Sequence, residues 1–164
     1  MRARRGALAM VALAALGAPA AARAEHEPLR FRDLDGAPVE VSPPAGDGAV
    51  VIHYWATWCP QCGPELAGLA AAAEACAGTA VRVLAVDVDE PAERVRAFLA
   101  EHGLALEPLL DPGGRSWRRT GGRELPANLI WTARGRRHTF GPRDEATWRA
   151  ELATLGCGGG AATP

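Results

Sequence analysis

The residues Val50-Val51-Ile52-His53-Tyr54-Trp55 form a short apolar run, rich in β-branched and aromatic side chains and broken by one histidine. Such a run is too short for a buried helix and predicts a strand covered on both faces. Downstream, Leu66, Leu69, Ala70, Ala73 and Ala77 recur at helical spacing as far as Gly78, so a helix with one apolar side follows. Val81–Val88 is a second run of the strand type. Asp89 is placed to cap a further helix with Pro91 near its first position, and Val95, Phe98 and Leu99 give it an apolar side. Asp111-Pro112-Gly113-Gly114 reads as a turn. Leu129-Ile130-Trp131 and residues 136–140 read as a hairpin closed at Arg134-Gly135. A last helix spans 145–155, with Trp148, Leu152 and Leu155 on one side. Ahead of the first buried strand, residues 31–41 alternate around Asp35-Gly36 as a small hairpin, and 43–48 is a loop. Residues 25–28 and the stretch from Gly158 onward lack such a pattern and are expected to be loose.

The order is β-α-β-α-β-β-α behind an N-terminal hairpin. A helix joining the first two buried strands implies a parallel pair with a right-handed crossover, and a tight turn implies an antiparallel last pair. That order resembles the thioredoxin fold: an α/β, three-layer α/β/α arrangement on a mixed central sheet, here with an N-terminal β-hairpin extension. One domain is expected over 25–157, with 158–164 as a flexible tail.

Composition changes the reading of the ends. Of 164 residues, the first stretch carries Arg2, Arg4 and Arg5, then an uncharged apolar run over 7–18, then Ala22-Arg23-Ala24. These features predict a signal peptide over 1–24, cleaved near Ala24 and exporting the chain to the periplasm or beyond. The run is about a dozen residues, short of the ~20 a spanning helix needs, so an N-terminal membrane anchor is the lesser alternative. Cleavage removes four arginines and no acid, moving the formal charge from -1 to about -5. An acidic mature chain argues against nucleic acid as a partner. All 18 basic residues are arginine, a bias to which no function attaches.

Export also bears on the four cysteines, because thiols in an oxidising compartment form disulfides. Only Cys59 and Cys62 form a CxxC motif, whereas a zinc ribbon needs two; no metal site or cofactor is implied. Cys59-Pro60-Gln61-Cys62 falls where a buried strand gives way to a helix. Unpaired N–H groups and the dipole at a helix start favour thiolate, the nucleophile of disulfide exchange. Cys62, one turn further, is placed to resolve a mixed disulfide formed at Cys59. A purely structural CxxC is the alternative.

The string Trp55-Ala56-Thr57-Trp58-Cys59-Pro60-Gln61-Cys62 resembles the active site of the TlpA/ResA-like family of exported thioredoxin-like proteins. Residues 31–39, Asp111-Pro112, and Leu125-Pro126 through Gly135 resemble further family motifs. The resemblance implies a thiol–disulfide oxidoreductase that reduces disulfides in apocytochrome c or metal-site assembly factors. It implies a disulfide-bearing protein substrate, a membrane thiol transporter as electron donor, and a monomer. Pro126 matches the family's cis-proline, so Leu125 is expected to pair its backbone with a substrate strand, with Trp58 and Pro60 completing the substrate-binding face; an ordinary trans proline opening a strand is the alternative. Glu65 matches a family glutamate implicated in proton transfer; a solvated helix carboxylate is the alternative. His53 stands where the family often has asparagine and is a candidate proton tuner or a hydrogen-bonded core residue.

Two positions depart from the family pattern. A kinking proline is expected at Ala67 but occurs at Pro64, where it is expected to remove a helix hydrogen bond, and a basic residue is replaced by Gly63. In the thioredoxin fold the helices carrying Cys76 and preceding Cys157 lie on one side of the sheet, so a structural Cys76–Cys157 disulfide is expected, with an inert core thiol at Cys76 as the alternative. Arg115, Arg118, Arg119 and Arg123 read as a solvated loop or as an attractor for an acidic partner. The runner-up functions are a disulfide oxidase or isomerase and, from another class, a copper-handling module using Cys59, Cys62 and a histidine such as His138.

Overall fold

A computed structural model describes residues 27–158. The expected signal segment and nearly all of the expected tail lie outside them. The order is β1 (Leu29–Arg32), β2 (Pro38–Val41), β3 (Ala49–Trp55), α1 (Cys62–Ala73), β4 (Val81–Val88), α2 (Ala92–Glu101), β5 (Leu109–Asp111), α3 (Arg115–Arg119), β6 (Ala127–Thr132), β7 (Gly135–Phe140) and α4 (Glu145–Thr154). Seven strands form one sheet in the order β2-β1-β5-β4-β3-β6-β7.

The predicted pairings hold. β3 and β4 are parallel, with Val51 opposite Val83 and Trp55 opposite Asp87, while β6 and β7 are antiparallel. β3 lies between β4 and β6, and all seven of its residues are buried, which explains its unbroken apolar run. Its alternate residues serve two cores. Val50, Ile52 and Tyr54 face one cluster with Leu129, Trp131 and, from α3, Trp117. Val51 faces Leu69 of α1 and Trp148 and Leu152 of α4, and Trp55, on that same side, meets Leu66 of α1 and Val95 and Leu99 of α2. Each fully buried large side chain here contributes roughly 1.5–3 kcal/mol over its exposed state. α4 begins at the residue the sequence suggested because Asp144 caps it, its Oδ1 accepting from the Thr147 N–H at 2.8 Å.

Four expectations are corrected. β5 was not anticipated: three residues give no periodicity, and the strand exists because it pairs with both β4 and β1, which joins the N-terminal hairpin to the sheet. The stretch after the Asp111 turn is not a loop throughout but the short helix α3. Asp89 does not cap α2, whose N-cap is Pro91; Asp89 adopts a left-handed conformation (φ 66°), and its Oδ1 accepts from the Gly113 N–H at 2.6 Å. Glu27 and Pro28 are not loose, since Arg119 donates to the Glu27 carboxylate and the Pro28 carbonyl, and Arg136 to the Glu27 carbonyl.

Candidate active site

The parallel strands β3, β4 and β5 end on one rim of the sheet. From that rim the chain leaves Trp55, makes a turn and enters α1 at Cys62. Cys59 and Cys62 are joined as a disulfide with Cα atoms 5.4 Å apart. The Cys59 N–H donates to the Ala56 carbonyl, and the Cys62 N–H to the Cys59 carbonyl, both at 3.1 Å. Cys59 therefore sits in the turn preceding α1, with Cys62 as the helix's first residue. Cys59 retains 5% exposure and Cys62 none.

Pro64 occupies the third position of α1. The first four N–H groups of a helix have no intrahelical acceptor, so the expected loss of a hydrogen bond does not occur. α1 also runs through Ala67 without interruption. Gly63 has its own packing reason: a Cβ there would lie 3.2 Å from Cζ of Phe98, a ring stacked on His102 and tilted against Trp55.

Around the disulfide, Trp58 is 64% exposed, the one large apolar side chain so displayed among the described residues, and Pro60 is exposed beside it. Leu125 packs against the cluster holding Cys59 and Cys62. The Leu125–Pro126 bond is cis. The Pro126 carbonyl accepts from the Gly141 N–H, whereas the backbone of Leu125 makes no hydrogen bond among the described residues.

Beneath the first turn of α1 lies a buried polar cluster. His53 of β3 stands opposite Asn128 of β6, with Nδ1 and Oδ1 2.8 Å apart. Asn128 Nδ2 donates to Glu65 Oε1 at 3.4 Å, which assigns its carbonyl oxygen to His53 and the imidazole proton to Nδ1. His53 Nδ1 is also 3.5 Å from Glu65 Oε1. Burial pushes the Glu65 carboxyl up to about 7, against the lowering influence of Asn128 and Arg143. Burial likewise pulls His53 down to about 4, helped by Arg143 and opposed by the Asn128 hydrogen bond. Glu65 is thus no solvated carboxylate. It does border a groove of about 680 Å³ whose walls include Gln61, Pro64, Gly68, Arg143 and Asp144.

Three residues of this region escaped the sequence reading. Asn128 had a faint signal, as the one amide in the apolar strand Ala127-Asn128-Leu129-Ile130-Trp131. Asp87 had a similar one, as a carboxyl after the apolar run Val83-Leu84-Ala85-Val86 of β4. Glu90 had none; its partner is Thr57 of the active-site turn, 33 residues away in sequence.

Away from the rim, Cys76 and Cys157 are joined, with S–S 2.00 Å and Cα atoms 4.4 Å apart. Of the arginines, Arg118 and Arg119 donate to backbone carbonyls, and Arg123 lies 4.9 Å over the Phe140 ring. His138 sits on β7, stacked with Phe140. Among the described residues no three His, Cys, Asp or Glu side chains gather in a metal-holding group, so Cys59, Cys62 and His138 do not assemble a copper site.

Comparison with known proteins agrees with this geometry. Residues 19–140 match the AhpC/TSA family. The thiol-disulfide oxidoreductase ResA of Halalkalibacterium halodurans is 28% identical over 116 residues, which are 70% of this chain and 65% of that one. For ResA of Bacillus thuringiensis the identity is again 28%, over 60% of this chain and 56% of that one. The chain thus spans less than two thirds of the length of these curated relatives. A secreted Mycobacterium tuberculosis disulfide oxidoreductase homologous to E. coli DsbE shares the fold, with TM-score 0.62, 23% identity, and coverage of 83% of this chain and 97% of that one. With the motif, the mixed sheet and the family match on common ground, the chain belongs to the AhpC/TSA family, has a thioredoxin fold and is similar to the ResA thiol-disulfide oxidoreductases.

Proposed function

We propose that this chain is an exported thiol–disulfide oxidoreductase that reduces disulfides in other proteins. One observation carries the reading: a CxxC disulfide on the sheet rim, packed beside Leu125, whose backbone groups make no hydrogen bond among the described residues. An extended substrate segment can pair there as an added strand, with Trp58 and Pro60 offering apolar contact at its flank. The names of the relatives, oxidoreductases of thiols and disulfides, support the same chemistry.

In the reductive direction the Cys59 thiolate attacks one sulfur of the substrate disulfide. A mixed disulfide forms and one substrate thiolate leaves. Cys62 then attacks Cys59 Sγ, releasing the second substrate thiolate and closing Cys59–Cys62. Two electrons pass from the dithiol to the substrate. Cys59 attacks because it keeps some exposure, and Cys62 resolves because it has none. Glu65 lies one turn beyond Cys62 with its carboxyl pushed up to about 7 by burial, so its ionised form is placed to take the proton that Cys62 loses. His53 holds Asn128, and Asn128 holds Glu65, so both are positioning residues.

Apocytochrome c or metal-site assembly factors are the proposed substrates, and a membrane thiol transporter the proposed donor that restores the dithiol to this monomer. Stopped-flow oxidation of the reduced chain by a disulfide-bonded protein checks the exchange. Second-order consumption of the dithiol is expected, abolished by Cys59→Ser; no reaction of the intact chain refutes the proposal.

A further inference from the structure

Asp87 is the penultimate residue of β4 and wholly buried. Because it stands opposite Trp55 in a parallel register, its side chain points to the face that carries the cysteine cluster. Its Oδ1 accepts the Glu90 N–H at 3.0 Å, and its buried Oδ2 meets no hydrogen-bond donor among the described residues, with the Glu90 carboxyl as its acidic neighbour. Glu90 in turn grips the active-site turn with both oxygens: Oε2 accepts from the Thr57 N–H at 2.5 Å and Oε1 from the Thr57 hydroxyl at 2.7 Å. Arg94 Nη1 approaches Oε1 to 3.5 Å from the solvent side. Thr57 is two residues before Cys59, in the turn closed by the bond from Cys59 N–H to the Ala56 carbonyl.

Two carboxyl groups in contact away from water cannot both be ionised, so the pair shares one proton. Glu90 receives two donors and an arginine, and therefore serves as the anion. Asp87 receives a single N–H and keeps the proton, which it donates to Glu90. We infer that Asp87 and Glu90 form a proton-sharing clamp that positions Thr57, and with it the turn presenting Cys59, for disulfide exchange. The inference rests on the exchange chemistry proposed above. Asp87 and Glu90 are positioning residues, since neither touches the sulfurs.

The charged groups facing the clamp are few. Asp89 adds a like charge next to Asp87, and Arg94 on α2 adds the cation. β3 contributes the neutral Trp55 indole, and the turn and α1 contribute the cysteine pair, which gains charge only when reduced. Burial, reinforced by the Glu90 carboxylate, pushes Asp87 up to about 8. Above that pH the pair becomes two adjacent anions, Glu90 is driven from Thr57, and the turn loosens.

Two variants and two readouts test the clamp. The Thr57 amide resonance of the oxidised full chain is followed between pH 6 and 10, and the rate of Cys59 alkylation in the reduced chain is followed over the same range. In the parent chain the Thr57 resonance is expected to shift with an inflection near the Asp87 value. Asp87→Asn preserves both hydrogen bonds, because its amide donates to Glu90 and its oxygen accepts the Glu90 N–H. It should keep the neutral-pH alkylation rate within about twofold while erasing the Thr57 inflection. Glu90→Gln removes the anion that raises Asp87, moving the inflection to lower pH, and slows alkylation by about tenfold through misplacement of the turn. An inflection that persists unchanged in Asp87→Asn, or a Thr57 resonance indifferent to pH in the parent chain, overturns the clamp. Neither the Thr57 resonance nor the alkylation rate depends on substrate turnover, so failure of the clamp is distinguishable from failure of the proposed reaction.

Discussion

His53 Nδ1 lies 3.5 Å from Glu65 Oε1 inside the protein, yet the two are not an ion pair. Burial raises Glu65 to about 7 and lowers His53 to about 4, so between those values the acid keeps its proton and the imidazole stays neutral. In the unfolded chain the proton would sit on the histidine and the glutamate would be ionised. Arg143 and Trp148 complete the surroundings, the indole meeting the imidazole edge-on at 6.2 Å. A neutral acid one turn from Cys62 is poised to exchange a proton where an ion pair would be locked.

The stability of this cluster with pH follows from the two signs. Glu65 is raised in the folded chain, so stability falls as pH climbs from about 4.5 to 7. His53 is lowered, so stability falls as pH drops from about 6.5 to 4. Over the shared interval the slopes oppose each other. Glu65→Gln leaves the histidine alone, and stability is then expected to rise with pH across that interval by at most about 1.4 kcal/mol per pH unit. Urea titrations of parent and variant at several pH values measure it; parallel curves would contradict the assignment.

For catalysis, Glu65→Gln is expected to flatten the dependence of exchange rate on pH near 7, because the group receiving the Cys62 proton no longer titrates. The second-order rate with a disulfide-bonded protein, recorded from pH 5 to 9, gives the profile. A profile identical to that of the parent chain removes Glu65 from the reaction.

Trp58→Ala is expected to raise KM for a protein disulfide by about tenfold, as loss of an exposed aromatic anchor usually does. The equilibrium with glutathione should hardly move, since Trp58 binds the partner and does not bear on the sulfurs. Steady-state kinetics beside the glutathione equilibrium separate the two effects. Loss in both would place Trp58 in the redox centre itself.

Replacing Cys76 and Cys157 by serine opens a disulfide spanning 81 residues of sequence. The chain-entropy model assigns such a closure roughly 4 kcal/mol. Denaturant unfolding should show that loss, with the Cys59–Cys62 exchange rate retained. Equal stability with and without the bridge would mean the pair is not bonded in solution.

Much of this fold is written in local pattern. The apolar run of β3, the helical spacing after Cys62 and the turn at Gly135 each depend on neighbours within a few residues, so they can be read directly. β5 could not be, because its three residues become a strand only through pairing with β1 and β4. The site divides the same way. Cys59 and Cys62 announce themselves by spacing, and Glu65 and Pro126 by resemblance. Asp87 and Glu90 look like ordinary acids in Asp87-Val88-Asp89-Glu90-Pro91; burial and a partner from another part of the chain make them a pair. Pro64 shows the reverse error, since its place in the first turn, fixed only by where α1 begins, decides whether a hydrogen bond is lost.

The most direct measurement is the equilibrium reduction potential of Cys59–Cys62 against glutathione, followed by quantitative alkylation of the two thiols. A reductase should lie toward the thioredoxin end of the scale, at about -270 mV. A value near the strongly oxidising end, at about -120 mV, would contradict the proposed direction. A pair that never equilibrates with glutathione would contradict the redox role altogether.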